Sequence, residues 1–271
     1  MIIDSHVHLF PPRVFDAIWR WFDRHAWNIQ YRLYADDILA HLGSHGIDRV
    51  VGLCYSHVPE MARDLNRFMA ELARAHPHQL IPLGTVLPGE PDADAIVDEA
   101  LRLGLRGFKI HCHVQKLAPD DPRLDPVYAR AAAARVPIVI HAGRQPCLEG
   151  YDADIFAICS AARTRRALER HPSLTMVIPH FGDDEEAEYF AMLDEFPNLY
   201  LDTTMLLGDY FPRRIDPAFV ERYADRILYG TDFPNIPYEW DRELRWLERH
   251  VSPAARAKIC GGNAARLYAA G

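Results

Sequence analysis

Ile2-Ile3-Asp4-Ser5-His6-Val7-His8-Leu9 opens the chain with two apolar residues and then sets two histidines one residue apart. The apolar pair reads as the start of a buried strand. Side chains alternate faces along a strand, so Asp4, His6 and His8 are expected on one face, with both imidazoles converging at its end. Two convergent histidines make half of a metal site, and the other half has to come from elsewhere in the chain.

The same short apolar signature recurs down the sequence. Strands are expected at 2–7, 49–55, 79–86, 105–111, 136–141, 174–180, 198–203 and 226–231. Between them lie amphipathic segments near 35–45, 60–75, 92–104, 125–135, 153–171, 184–196, 214–225 and 239–250, with a closing helix near 253–269. Strands alternating with helices imply parallel pairing through right-handed crossovers. Gly or Pro marks several junctions, as in Leu103-Gly104, His171-Pro172 and Phe196-Pro197. Eight such units in 271 residues predict an α/β fold, a (β/α)8 TIM barrel forming one domain over residues 1–271. An open doubly wound sheet usually has fewer strands, and no Gly-x-Gly-x-x-Gly or phosphate-loop pattern supports it. No linker or low-complexity tract divides the chain. The one long connection, residues 9–34, is dense in aromatics (Phe10, Phe15, Trp19, Trp21, Phe22, Trp27, Tyr31, Tyr34). It reads either as a lid or pocket lining, or as a helix packing its own apolar face on the barrel.

Composition bounds the function. Hydrophobic residues at 49% and charged residues at 25% fit a globular chain with a full core. The formal net charge is −8 and no long basic run exists, which argues against nucleic-acid binding. No apolar stretch approaches the roughly 20 residues of a membrane helix. Asp4, His6 and His8 interrupt any secretory pattern, so a cytoplasmic location is expected. The five cysteines, 54, 112, 147, 159 and 260, contain no Cys-x-x-Cys pair, against a disulfide framework or zinc knuckle. A small-molecule substrate is the expected partner, and a homo-oligomer is left open.

The pattern His-x-His occurs three times among fourteen histidines, at 6/8, 76/78 and 111/113, so position must decide. Active-site residues of an eightfold barrel sit at the C-terminal ends of strands, and the opposite face serves stability. His76, His78 and His171 precede strands; His41, His45 and His250 belong to helices. His6 and His8 close the first strand, His111 the fourth, His141 the fifth and His180 the sixth. The eighth runs Ile227-Leu228-Tyr229-Gly230-Thr231-Asp232 and ends in a carboxylate whose burial would be costly without a partner. Imidazoles and a carboxylate suit a borderline divalent ion such as zinc, with an open position for water.

This arrangement resembles the amidohydrolase superfamily, which carries His-x-His on the first strand, His on the fifth and sixth and Asp on the eighth. More narrowly it resembles the amidohydrolase-related subfamily, which holds aminocarboxymuconate semialdehyde decarboxylase and several lactone and amide hydrolases. Gly107-Phe108-Lys109-Ile110, Val177-Ile178-Pro179-His180-Phe181-Gly182, Asn198-Leu199-Tyr200-Leu201-Asp202 and Gly262-Asn263-Ala264-Ala265-Arg266-Leu267 extend the likeness over the whole chain. The resemblance implies that His6, His8, His141 and Asp232 hold one divalent ion, with zinc expected. Such an ion lowers the pKa of a bound water from about 15.7 to about 7. Asp232 would take the water's proton, and His180 would act as base, hydrogen-bond partner or proton shuttle. In two-metal relatives a carboxylated fourth-strand Lys bridges two ions and the sixth-strand His binds the second. Lys109 and His180 keep that reading open beside the single-metal one. Arg144 and Lys109 are candidates to clamp a substrate carboxylate, with His111 at the mouth. Asp4 is expected to orient a ligand histidine. The acidic run Asp183-Asp184-Glu185 replaces the more frequent Gly-Gly; it is read as capping the following helix or selecting a cationic substrate group.

The expected activity is metal-dependent hydrolysis of a small amide, lactone or related cyclic substrate. The alternative enzyme class is non-oxidative decarboxylation of an unsaturated or aromatic acid; the chain is short for decarboxylase-like members, which favours hydrolysis. A non-enzymatic metal- or ligand-binding protein on a hydrolase scaffold is the third reading.

Overall fold

A computed structural model describes residues 1–269; the last two residues of the expected 1–271 domain lie outside the described residues. Nine strands are described: β1 (Ile3–His8), β2 (Arg49–Leu53), β3 (Leu80–Pro82), β4 (Gly84–Thr85), β5 (Phe108–His111), β6 (Ile138–His141), β7 (Met176–Ile178), β8 (Leu199–Asp202) and β9 (Ile227–Leu228). All pair in parallel, in the orders β1-β2-β3 and β4 through β9. They make an eight-stranded barrel because β3 and β4 are halves of one strand broken at Leu83. There the backbone changes partner: Leu83 N donates to Gly52 O at 3.0 Å and Gly84 N to Gly107 O at 2.8 Å. The barrel closes where Ser5 N donates to Tyr229 O (2.8 Å), Asp232 N to His6 O (3.0 Å) and His8 N to Phe233 O (2.8 Å).

The strands are short, apolar and buried on both faces, as parallel strands under helices must be. Ile3, Val51, Leu53, Ile81, Leu83, Val139, Val177 and Leu228 fill the interior, and Ala264 and Tyr268 of the C-terminal segment join the same cluster. That segment plugs the end of the barrel opposite the strand termini. The outer core lies between strands and helices, where Leu65, Met69, Val97, Leu168 and Leu247 turn inward.

The expected helices recur with altered ends. The segment at 153–171 is two helices, Ile155–Ile158 and Ala161–Arg170, divided by Ser160, whose side chain accepts from Arg163 N and starts the second. The closing helix is interrupted by a π-helical turn, Lys258–Gly262. Residues 9–34 contain a helix, Pro12–His25, that packs on the barrel with one face and lines the cavity with another. Phe15 and Trp19 are buried against the barrel, whereas Trp21 and Phe22 face the cavity at its mouth. Among the described residues no helix is long and apolar enough to cross a membrane.

Candidate metal centre and its cavity

At the C-terminal ends of the strands lies a cavity of about 470 Å³. His6, His8, Lys109, His111, His141, His180 and Asp232 all contribute to its lining. Apolar and aromatic side chains from helix Pro12–His25, together with Trp27, Tyr55 and Tyr151, make its walls. Trp21 Nε1 donates to Gly150 O at 3.3 Å and Trp27 Nε1 to Asn235 O at 2.7 Å, tying the long first connection to two other loops over the mouth.

On the floor, Nε2 of His8 lies 2.8 Å and Nε2 of His6 3.3 Å from the same oxygen, Asp232 Oδ1. These three residues are buried and, among the described residues, form the group that could hold a metal ion, each offering one ligand atom within 4.8 Å of the others. Two imidazole nitrogens and a carboxylate oxygen suit a divalent transition ion. Asp232 is suited to the task. Burial pushes its carboxyl up, but the His8 charge and hydrogen bond, with His6 and His180, hold it well below the usual carboxylate range. It stands in the left-handed region at φ 68°, which turns its side chain back over β1. His8 Nδ1 is buried without a hydrogen-bond partner, so this ring's only anchored nitrogen faces the candidate ion position.

His141 stands beside this trio but outside it. Its Nε2 donates to Gln145 O at 2.9 Å, leaving Nδ1 as the ring's lone-pair nitrogen. It stacks on His111 with centroids 4.4 Å apart and planes 9° apart, and meets His180 at 4.9 Å. Burial lowers the pKa of His6, His111 and His141 well below the ordinary imidazole value, so these rings are neutral and available as ligands or acceptors.

Lys109 is fully buried, and its Nζ is 3.4 Å from His6 Nε2. Burial depresses its pKa to about 8, against the opposing charges of Asp232 and Asp202. His180 lies beyond the end of β7 rather than within the strand. It begins a run of four residues at positive φ, His180 (57°), Phe181 (50°), Gly182 (81°) and Asp183 (59°). This left-handed turn returns the imidazole toward the cavity.

Several expectations are altered. Arg144 does not line the cavity: its guanidinium pairs with Asp184 at 2.9 Å and lies over the Phe156 ring at 5.3 Å. A cation already engaged by a carboxylate is a poor clamp for another. Glu185 accepts from Ala161 N at 3.0 Å, so it caps helix Ala161–Arg170 and not the helix that follows it. Asp183 turns inward, is 5% exposed and accepts from Gln145 N at 3.3 Å. Asp4 does not touch an imidazole; it accepts from His6 N (3.1 Å), Thr231 N (3.1 Å) and Thr231 Oγ1 (2.6 Å), locking β1 to the loop carrying Asp232. Asp202, to which the sequence reading gave no role, is 2.8 Å from His6 Nδ1 through Oδ2. Its signal was the same as that of Asp232, a carboxylate ending a buried apolar strand.

Comparisons with known proteins agree with this architecture. The chain is 27% identical over 233 residues to L-fucono-1,5-lactonase of Burkholderia multivorans, covering 82% of this chain and 72% of that protein. It is 25% identical over 301 residues to gamma-resorcylate decarboxylase of a Rhizobium species, covering 89% of each. Among solved structures, an uncharacterized TIM-barrel protein of Bordetella bronchiseptica superposes with a TM-score of 0.76 at 25% identity, covering 99% of this chain and 98% of that one. Residues 3–270 match the amidohydrolase family, and the chain belongs to it, in the amidohydrolase-related subfamily.

Proposed function

We propose that the chain is a metal-dependent hydrolase of a small amide, lactone or related cyclic substrate, its ion held by His6, His8 and Asp232 with His141 as fourth ligand. The carrying observation is the convergence of two Nε2 atoms on Asp232 Oδ1 at the floor of a cavity that His180 also lines. The ion, with zinc the first choice for this donor set, supplies Lewis acidity and lowers the pKa of water. Asp232 is kept ionised and serves as the nearest acceptor for a proton leaving the attacking water. His180 carries no proton on Nε2 (its Nδ1 faces two acceptors), so its lone pair is free to relay that same proton from Asp232 to the leaving group. Tyr55 lies over His8 with centroids 5.7 Å apart, and burial keeps its hydroxyl protonated as a donor. The aromatic walls suit a flat ring.

Decarboxylation of a ring acid is the second reading. Its favouring observation is Lys109, a buried cation 3.4 Å from His6 Nε2 beneath those apolar walls, where a carboxylate on a ring would be held. One experiment separates the two. The metal-loaded protein is incubated in ¹⁸O-water with a panel of lactones, amides and hydroxybenzoates. Hydrolysis puts ¹⁸O into a new carboxylate; decarboxylation releases carbon dioxide and leaves the ring product unlabelled. Metal content of protein purified without added metal is expected at one ion per chain. A value near zero would sink the metal reading, and two would promote carboxylated Lys109 and His180 as ligands of a second ion.

A further inference from the structure

Asp202 ends β8 fully buried, and its two oxygens face two different histidines. Oδ2 is 2.8 Å from His6 Nδ1. Oδ1 accepts from His180 N at 2.9 Å, from Thr204 N at 3.2 Å and from Thr204 Oγ1 at 2.5 Å. Three donors on one oxygen fix the carboxylate's orientation and leave Oδ2 for His6 alone. The proton positions then follow by elimination. A carboxylate oxygen only accepts, so His6 carries its proton on Nδ1 and turns the Nε2 lone pair toward Asp232. Thr204 spends its single hydroxyl proton on Asp202, so its oxygen can only accept from His180 Nδ1, 2.8 Å away. The Thr204 carbonyl, 3.1 Å from the same nitrogen, can also only accept. His180 is therefore protonated on Nδ1, and its Nε2 lone pair faces the cavity.

We infer that Asp202 is a positioning residue that sets the tautomer of His6 for metal binding and, through Thr204 and the His180 backbone, holds the His180 ring ready as a proton acceptor. The metal-binding half rests on the hydrolase reading above; the tautomer half does not. An outward-facing Asp would leave His180 N, at a φ of 57°, with only its longer 3.2 Å contact to Thr204 Oγ1.

Two variants separate positioning from mere packing. In Asp202→Asn the amide oxygen keeps the three donors at the Oδ1 position, which puts the NH₂ against His6 Nδ1. His6 is then forced to accept there and to carry its proton on Nε2. Thr204→Val removes buried hydrogen bonds from the same network without touching His6. The readouts are long-range ¹H–¹⁵N spectra of the metal-free full chain labelled in histidine, and zinc affinity by competition with a chromophoric chelator. The wild type is expected to show His6 and His180 as Nδ1–H tautomers. Asp202→Asn is expected to switch His6 to Nε2–H, to leave His180 as Nδ1–H, and to weaken zinc about 10–100-fold. Thr204→Val is expected to bind zinc within about threefold of wild type, in line with a partner that bonds Asp202 Oδ1 and His180 but not His6. Unchanged His6 signals in Asp202→Asn, or equal zinc losses in both variants, would overturn the inference. If the wild type binds no zinc, the metal reading fails and the spectra alone decide the role of Asp202.

Discussion

Single buried groups carry both the chemistry and a measurable stability cost. His180 is the cleanest catalytic test, because it is not a member of the His6–His8–Asp232 group. His180→Asn is expected to lower kcat by about 10²–10⁴-fold while bound metal per chain stays unchanged. A loss of metal in parallel would make His180 a ligand instead. Glu243 lies away from the candidate metal group, fully buried, with Tyr238 Oη donating to Oε1 at 2.7 Å and Oε2 without a partner. Burial raises its pKa from the ordinary 4.5 to about 8. Between those values the native state keeps a proton that the unfolded state releases, so stability falls as pH rises through the window. Glu243→Gln keeps the acceptor for Tyr238 and removes the charge. It is expected to raise Tm by several degrees at pH 8.5, with little change at pH 4.5, read from paired melting curves. Legibility in the sequence divides at this scale too. Asp232 stood out because a Gly and a Thr set it apart from its strand. Asp202 ended Leu-Tyr-Leu-Asp with the same chemistry, but no linear signal says that its partners are His6 and His180, distant in sequence and joined only by barrel closure.

Elements decide where those groups point. The repeating strands and most helices were readable from apolar period and Gly or Pro stops, and even the unforeseen break at Cys159-Ser160 had a local signal in the Ser160 cap. The left-handed turn 180–183 was not readable, because its conformation is imposed by contacts from β8 and helix Glu186–Glu195. Gly182 is the residue that permits it. A Cβ there would come within 1.9 Å of the Tyr189 ring, which is held by a 2.8 Å hydrogen bond between its hydroxyl and Thr164. Gly182→Ala therefore meets both a positive φ and an unyielding ring. It is expected to cost about 2–4 kcal/mol by denaturant titration and to depress kcat, since the turn carries His180. Helix Pro12–His25 acts on the substrate side. Trp21→Ala is expected to raise KM about tenfold with kcat little altered, if the helix contributes binding common to ground and transition states. A fall in kcat at unchanged KM would instead give this helix a part in the chemistry.

At the scale of the whole molecule, the barrel separates two ends with different duties. One holds His6, His8, His141, His180 and Asp232; the other is sealed by the C-terminal segment, where Asn263 is fully buried. Its Nδ2 donates to Ala224 O and to Ile227 O, both at 2.7 Å, and thereby fastens the plug to the strand that leads to Asp232. The Gly-Asn-Ala-Ala-Arg-Leu run was legible as a family feature, but its purpose required the fold, since the two carbonyls lie on a different element. Asn263→Ala strands both carbonyls in the interior and is expected to cost about 2–4 kcal/mol, a fall in Tm of roughly 5–15 °C for a chain of this size. Zinc affinity, measured below the lowered Tm, is expected to stay within about threefold of wild type, because stability and chemistry sit at opposite ends of such barrels. The same melting experiment supplies its own control: added zinc should raise Tm of wild type and variant by similar amounts, as it binds only the native form. A variant that keeps its Tm but loses zinc would reverse this division, and place the plug in the service of the metal centre through β9.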